Sequence, residues 1–166
     1  MTLEQLPKWM QSLLLAFRLD LKANHDRQPT ITSILLATIV ALVGSLVADW
    51  LLVKLGTRVF PSTVGFPHFR FSDYSKLTVI GVLIACAAWP IATRLTSTPR
   101  AFFFRAAIVI TIVLFAPDAY IWHSGSSGEA VFVLIWLHVA IAIVTYNALV
   151  RLAPVPRGRH ARHAAE

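Results

Sequence analysis

Three ionisable side chains lie inside long apolar runs of this sequence: Asp49, Asp118 and His138. An ionisable group at the centre of a membrane helix costs ~2.5–3.5 kcal/mol on insertion scales, so it faces protein or water and takes a partner. Imidazole changes charge near neutral pH and a carboxylate accepts its proton, so proton relay is one chemistry open to this set. Divalent-metal binding is another. His123 and Glu129 flank the turn between the last two apolar runs. The expectation is an outward-opening polar pocket of Asp49, Asp118, His123 and His138, with His138 at its floor and His123 and Glu129 at its rim. His138 lies nine positions past Glu129, roughly 14 Å by helical rise. No HxxxH or HExxH spacing occurs, so metal ligands would have to come from separate helices, and whether any metal binds stays open.

The same residues also have plainer roles. His138 can donate to a backbone carbonyl or to Thr111. Asp49 can pair with Lys54 or Arg58. Asp118 can cap the turn broken by Pro117 or accept from Trp122 or the serine hydroxyls of 124–127.

The elements that must position these groups are four spans. The run from Ala130 to Val150 is uncharged between Glu129 and Arg151, about the length a helix needs to cross a bilayer core. Three other stretches share its character, giving spans at about 31–55, 76–94, 102–122 and 130–151. The first carries small residues at spacing four, Ala37, Ala41 and Ser45, leading to Asp49. The second carries Gly81, Ala85, Ala88 and Ala92, with Pro90 near its end. Small residues let helix backbones approach closely in lipid, where packing replaces the hydrophobic drive. In the third, Ala107, Thr111 and Asp118 share a face. The short turns at 95–101 and at SGSSG (124–128) predict that consecutive spans pack as antiparallel neighbours.

Outside the spans, residues 2–22 place Leu3, Leu6, Met10, Leu13, Leu14, Phe17 and Leu21 at helical spacing with Trp9 among them. This predicts an amphipathic helix in the membrane interface, followed by a polar linker to residue 30. The 56–75 connection, GTRVFPSTVGFPHFRFSDYS, is aromatic and broken by Pro61 and Pro67. It reads as an interfacial loop, with a re-entrant piece or a lid as its structured forms. The 153–166 tail is basic. The domain reading is therefore 1–30, 31–152 and 153–166.

Composition agrees: 57% of residues are hydrophobic and 14% charged, against about a quarter charged in a soluble domain. The net charge is +7, but the basic residues gather at span ends. Eleven Lys and Arg fall on the side of the termini and four on the other, which by the positive-inside rule puts both termini in the cytoplasm of a plasma-membrane protein. No basic helix with interleaved aromatics presents itself, so nucleic acid is not an expected partner. The single cysteine, Cys86, excludes chemistry that needs paired thiols within the chain. No signal-peptide pattern occurs at residues 1–25. No GxSxG elbow surrounds the serines of SGSSG.

The proline-interrupted third span (LFAPDAY) and the mid-helix histidine of the fourth (LIWLHVAIAIV) resemble a family of small four-span membrane proteins of unknown function from high-GC Gram-positive bacteria, over residues 31–152. That resemblance implies a four-helix bundle and no particular activity. The sequence therefore predicts an all-α four-helix transmembrane bundle. Its first functional expectation is an accessory or scaffold protein, binding a larger membrane complex or itself through small-residue faces. Its second is a small carrier or sensor whose pocket binds a proton, metal or lipid headgroup. A lipid-modifying enzyme lacks a suitably spaced nucleophile or metal set, so no enzymatic activity and no cofactor are expected.

Overall fold

A computed structural model describes residues 7–16 and 28–155. Among them the chain is helical, with no strand: α1 (Lys8–Ala16), α2 (Ile31–Val59), α3 (Phe71–Leu95), α4 (Pro99–His123) and α5 (Gly128–Leu152). The last four are long and apolar enough to cross a membrane. α1 begins directly after Pro7, whose carbonyl accepts from the amides of Met10 and Gln11. Trp9 and Leu15 are exposed beside Lys8 and Ser12. Most of the amphipathic reading over 2–22 lies outside the described residues, as does most of the tail.

Local chemistry sets the helix ends. Thr30 caps α2 by accepting from the Ser33 amide at 3.2 Å, and Ser127 caps α5 by accepting from Ala130 at 3.2 Å. Each satisfies one of the amides a helix start leaves bare. Pro99 opens α4, where its missing N–H costs nothing. α2 runs on past Lys54 and Arg58 and stops at Phe60, whose backbone is pushed out of the helical region ahead of Pro61. α3 starts at Phe71, five residues before the expected boundary. The connection between α2 and α3 is therefore only residues 60–70, holding two single-turn 3₁₀ segments at Pro61–Thr63 and Pro67–Phe69. At the other turn Gly125 has φ +97°, a left-handed conformation that favours glycine.

The bundle is organised around α5. Its most extensive contact is with α2, the helix furthest from it in sequence among the four, and it also touches α3 and α4. α3 and α4 are joined by a short turn yet share much less surface. Two glycines let α2 and α5 approach closely. A Cβ on Gly44 would lie 2.9 Å from Val144 Cγ1, and one on Gly56 would lie 2.7 Å from Val133 Cγ2. These pairings fix an antiparallel register between the helices.

On α2, Ala37, Ala41, Ser45 and Asp49 are all fully buried. On α3 the expected packing face is met in part: Ala92 is buried and Ala88 packs half-buried against the same core. Gly81 is exposed, nothing lies within 4 Å of where its Cβ would stand, and Ala85 is only half-buried. The buried face is Tyr74, Thr78, Val82, Cys86, Trp89, Ala92 and Thr93. Two stripes a residue apart differ by ~100° around a helix, and α3 turns its larger side chains inward. Gly56→Ala should therefore destabilise the protein by about 1 kcal/mol, because overlap with stiff Val133 exceeds the gain in helix propensity. Gly81→Ala should be neutral or stabilising by up to about 1 kcal/mol. Paired thermal melts in detergent check both.

Candidate functional site

All four long helices contribute buried or half-buried polar side chains to one layer inside the bundle, about two helical turns deep. α2 brings Ser45 and Asp49, α3 Thr78, α4 Asp118, and α5 His138 and Thr145. Asp49 is 0% exposed and Asp118 3%. His138 Nδ1 lies 3.1 Å from Asp118 Oδ2 and 3.0 Å from the carbonyl oxygen of Leu134, one turn back on its own helix. A carbonyl oxygen only accepts, so Nδ1 carries a hydrogen. That hydrogen is directed at Leu134, and Asp118 Oδ2 makes a close contact with the imidazole without an aligned hydrogen bond. Phe115 stands edge-on to the imidazole, with ring centroids 6.4 Å apart.

The second carboxylate is held differently. Thr78 donates its hydroxyl to Asp49 Oδ2 at 2.6 Å, a charge-assisted geometry stronger than a neutral hydrogen bond. Four buried oxygens of the layer have no hydrogen-bond partner among the described residues: Ser45 Oγ, Asp49 Oδ1, Asp118 Oδ2 and Thr145 Oγ1. Such atoms are uncommon in a folded interior and costly where they occur.

Apolar side chains close the layer on both sides. Toward the 60–70 loop lie Phe69, Tyr74, Ala130, Val133, Leu134 and Leu137, with Phe60 and Phe66 against them. The loop's aromatics cover this end: Phe60 meets Phe132 edge-on, and Phe66 meets Phe69. Ser62 donates a hydrogen bond to the Glu129 carboxylate, which ties the loop to the start of α5. Toward the termini lie Ala37, Ala41, Val82, Cys86, Trp89, Phe103, Ala148 and Leu149. The acids thus sit enclosed between two apolar clusters, where the sequence led us to expect a pocket opening outward.

Of the four expected pocket residues, Asp49, Asp118 and His138 share the layer. His123 does not: it is exposed at the end of α4. Asp49 takes Thr78 in place of Lys54 or Arg58, and Asp118 takes His138 in place of the serine turn. Thr78 and Thr145 were missed. Threonine returns its hydroxyl to its own helix backbone so readily that position alone does not flag it. The signal available was spacing, since Thr145 lies seven positions, or two turns, past His138. Among the described residues no group of three His, Cys, Asp or Glu side chains could hold a metal ion.

Four membrane-length apolar helices around two buried acids define a multi-pass helical membrane protein. No family model matches the chain, and neither the curated proteins nor the solved structures return a match. The site stands on its own residues.

Proposed function

We propose that the protein is a small plasma-membrane carrier or sensor of protons, with both termini cytoplasmic and the 60–70 loop outside. The observation that carries this reading is the 3.1 Å contact between His138 and Asp118, made across two helices. An imidazole against a buried carboxylate has a protonation step that changes the charge of the site. Because the groups come from different helices, that change alters the forces between helices as well as on one side chain. The burial of both acids suits a carrier or sensor better than an open channel: only His138, a quarter exposed, is open to a proton from outside the bundle. The proposed kinship with four-span proteins of high-GC Gram-positive bacteria fits this architecture and adds no activity to it.

The test is spectroscopic and independent of any known substrate. Purified protein in lipid is titrated between about pH 5 and 8, with the His138 ring nitrogens followed by NMR and the carboxyl bands by infrared difference. The expected result is one coupled transition involving His138, lost in His138→Ala and altered in Asp118→Asn. A cluster whose signals stay constant across that range would end the proposal. Flux of an imposed pH gradient in vesicles then separates a carrier, which dissipates it, from a sensor, which does not.

A second reading, that the chain is an accessory or scaffold subunit, is favoured by exposed Gly81, which has room for a helix to approach closely. It predicts that Gly81→Leu abolishes co-purification of a membrane partner, or self-association, while leaving the fold intact.

A further inference from the structure

We propose that Ser45, Asp49 and Thr145 form a binding site for a small monovalent cation of the sodium class, between α2 and α5. The site uses atoms the proton reading leaves idle. Thr78 occupies Asp49 Oδ2, and Oδ1 has no hydrogen-bond partner. Ser45 Oγ and Thr145 Oγ1 are likewise unpartnered, and all three residues are at least 95% buried. Ser45 precedes Asp49 by four residues, so both stand on one face of α2. The antiparallel register set by Gly44 against Val144 and Gly56 against Val133 puts Thr145 at the level of Ser45.

The donor set selects the ligand. Every idle atom is a hard oxygen, without a nitrogen or sulfur among them, which favours alkali and alkaline-earth cations over transition metals. Charge then favours a monovalent ion. Asp118 and His138 face each other and can neutralise one another, leaving Asp49 as the single charge to balance. A divalent ion would leave a net positive charge buried in a low-dielectric layer. The hydroxyls of Ser45 and Thr145 have rotatable hydrogens, so each can turn a lone pair toward a cation. An alternative occupant is an ordered water bridging the same three oxygens. It satisfies hydroxyls and carboxylate but leaves the Asp49 charge unbalanced.

The experiment uses the full chain, purified in detergent at fixed pH. Melting temperature is compared in lithium, sodium, potassium and choline chlorides at equal ionic strength, and radiolabelled sodium binding is measured by equilibrium dialysis. The expected result is a saturable rise in melting temperature with sodium or lithium over choline. Ser45→Ala and Thr145→Val should each lower sodium affinity about tenfold or more, the equivalent of one lost ligand, and Asp49→Asn should abolish binding. Should Asp49→Asn fail to fold, the two hydroxyl variants still decide the matter. Sodium binding that persists in His138→Ala separates this site from the proton reading, so either can fail alone. Identical melting in sodium and choline, or a sodium response unchanged by all three substitutions, overturns the site and leaves water as the occupant.

Discussion

Replacing His138 by alanine should destabilise the bundle by about 3–5 kcal/mol, the cost of removing one member of a buried charged pair. Replacing Asp118 by alanine should cost only about 1 kcal/mol. The asymmetry follows from what each survivor retains. Without the imidazole, Asp118 is left with a side chain 4% exposed and loses its one basic neighbour within 4 Å among the described residues. Without the carboxylate, His138 keeps its bond to the Leu134 carbonyl, and a quarter of its side chain stays exposed. Replacing both with leucine should return the stability to within about 1 kcal/mol of the wild type, since apolar substitutes for a buried pair are often neutral or better. That double variant would be a folded bundle without the proton response. Unfolding in mixed micelles measures all three proteins. Equal losses in the two single variants would mean that Asp118 has another partner or that His138 depends on Asp118 for its position.

The spans were legible because apolar length is the strongest signal a membrane chain carries. Their ends were less so. A span read from hydropathy stops where charge begins, whereas a helix stops where its hydrogen bonding fails. Lys54 and Arg58 therefore marked an early end for α2, while Pro61 set the real one. The faces were harder still. A soluble helix betrays its inner face by polarity, but in lipid both faces are apolar, and only size and the rare polar residue distinguish them. On α2 the small stripe coincides with Asp49, and two signals point the same way. On α3 the small stripe and the Thr78 face diverge, and reading size alone led to Gly81.

The polar layer shows the same limit. Asp49, Asp118 and His138 stand out as ionisable residues in apolar runs. Which of them meet depends on helix arrangement, and turn length suggested only neighbours in sequence. The contact between α2 and α5 comes instead from glycines on one helix matched to valines on the other, at Gly44–Val144 and Gly56–Val133. Those glycines are scattered in the sequence and acquire meaning only as a pair. With α2 against α5, Asp49 falls beside the His138 level, and His123, exposed at the end of α4, is left aside.

Trp89→Ala should be the most damaging single change at the end of the bundle near the termini, costing about 3 kcal/mol, the low end of the range for truncating a buried aromatic. The low end applies because lipid is as apolar as the protein interior, so the loss is mainly contact and cavity rather than transfer from water. Trp89 is fully buried and joins three helices. It belongs to α3, its ring lies 5.2 Å from that of Phe103 on α4 at 75°, and its Nε1 donates to the Ala153 carbonyl at the end of α5 at 2.9 Å. Carbonyls at a helix end lack an amide from their own chain, so this bond supplies what the backbone cannot. Trp89→Phe keeps most of the ring contact and loses only that bond, and should cost about 1–2 kcal/mol. Cys86, one turn away and 4% exposed, reports on the same cluster as the sole thiol of the chain. Its labelling by a maleimide should be slow in the wild type, faster in Trp89→Phe and fastest in Trp89→Ala. A cysteine equally unreactive in all three would mean that the cluster stays shut without Trp89. The seal beneath the polar layer would then belong to the close contact of α2 with α5.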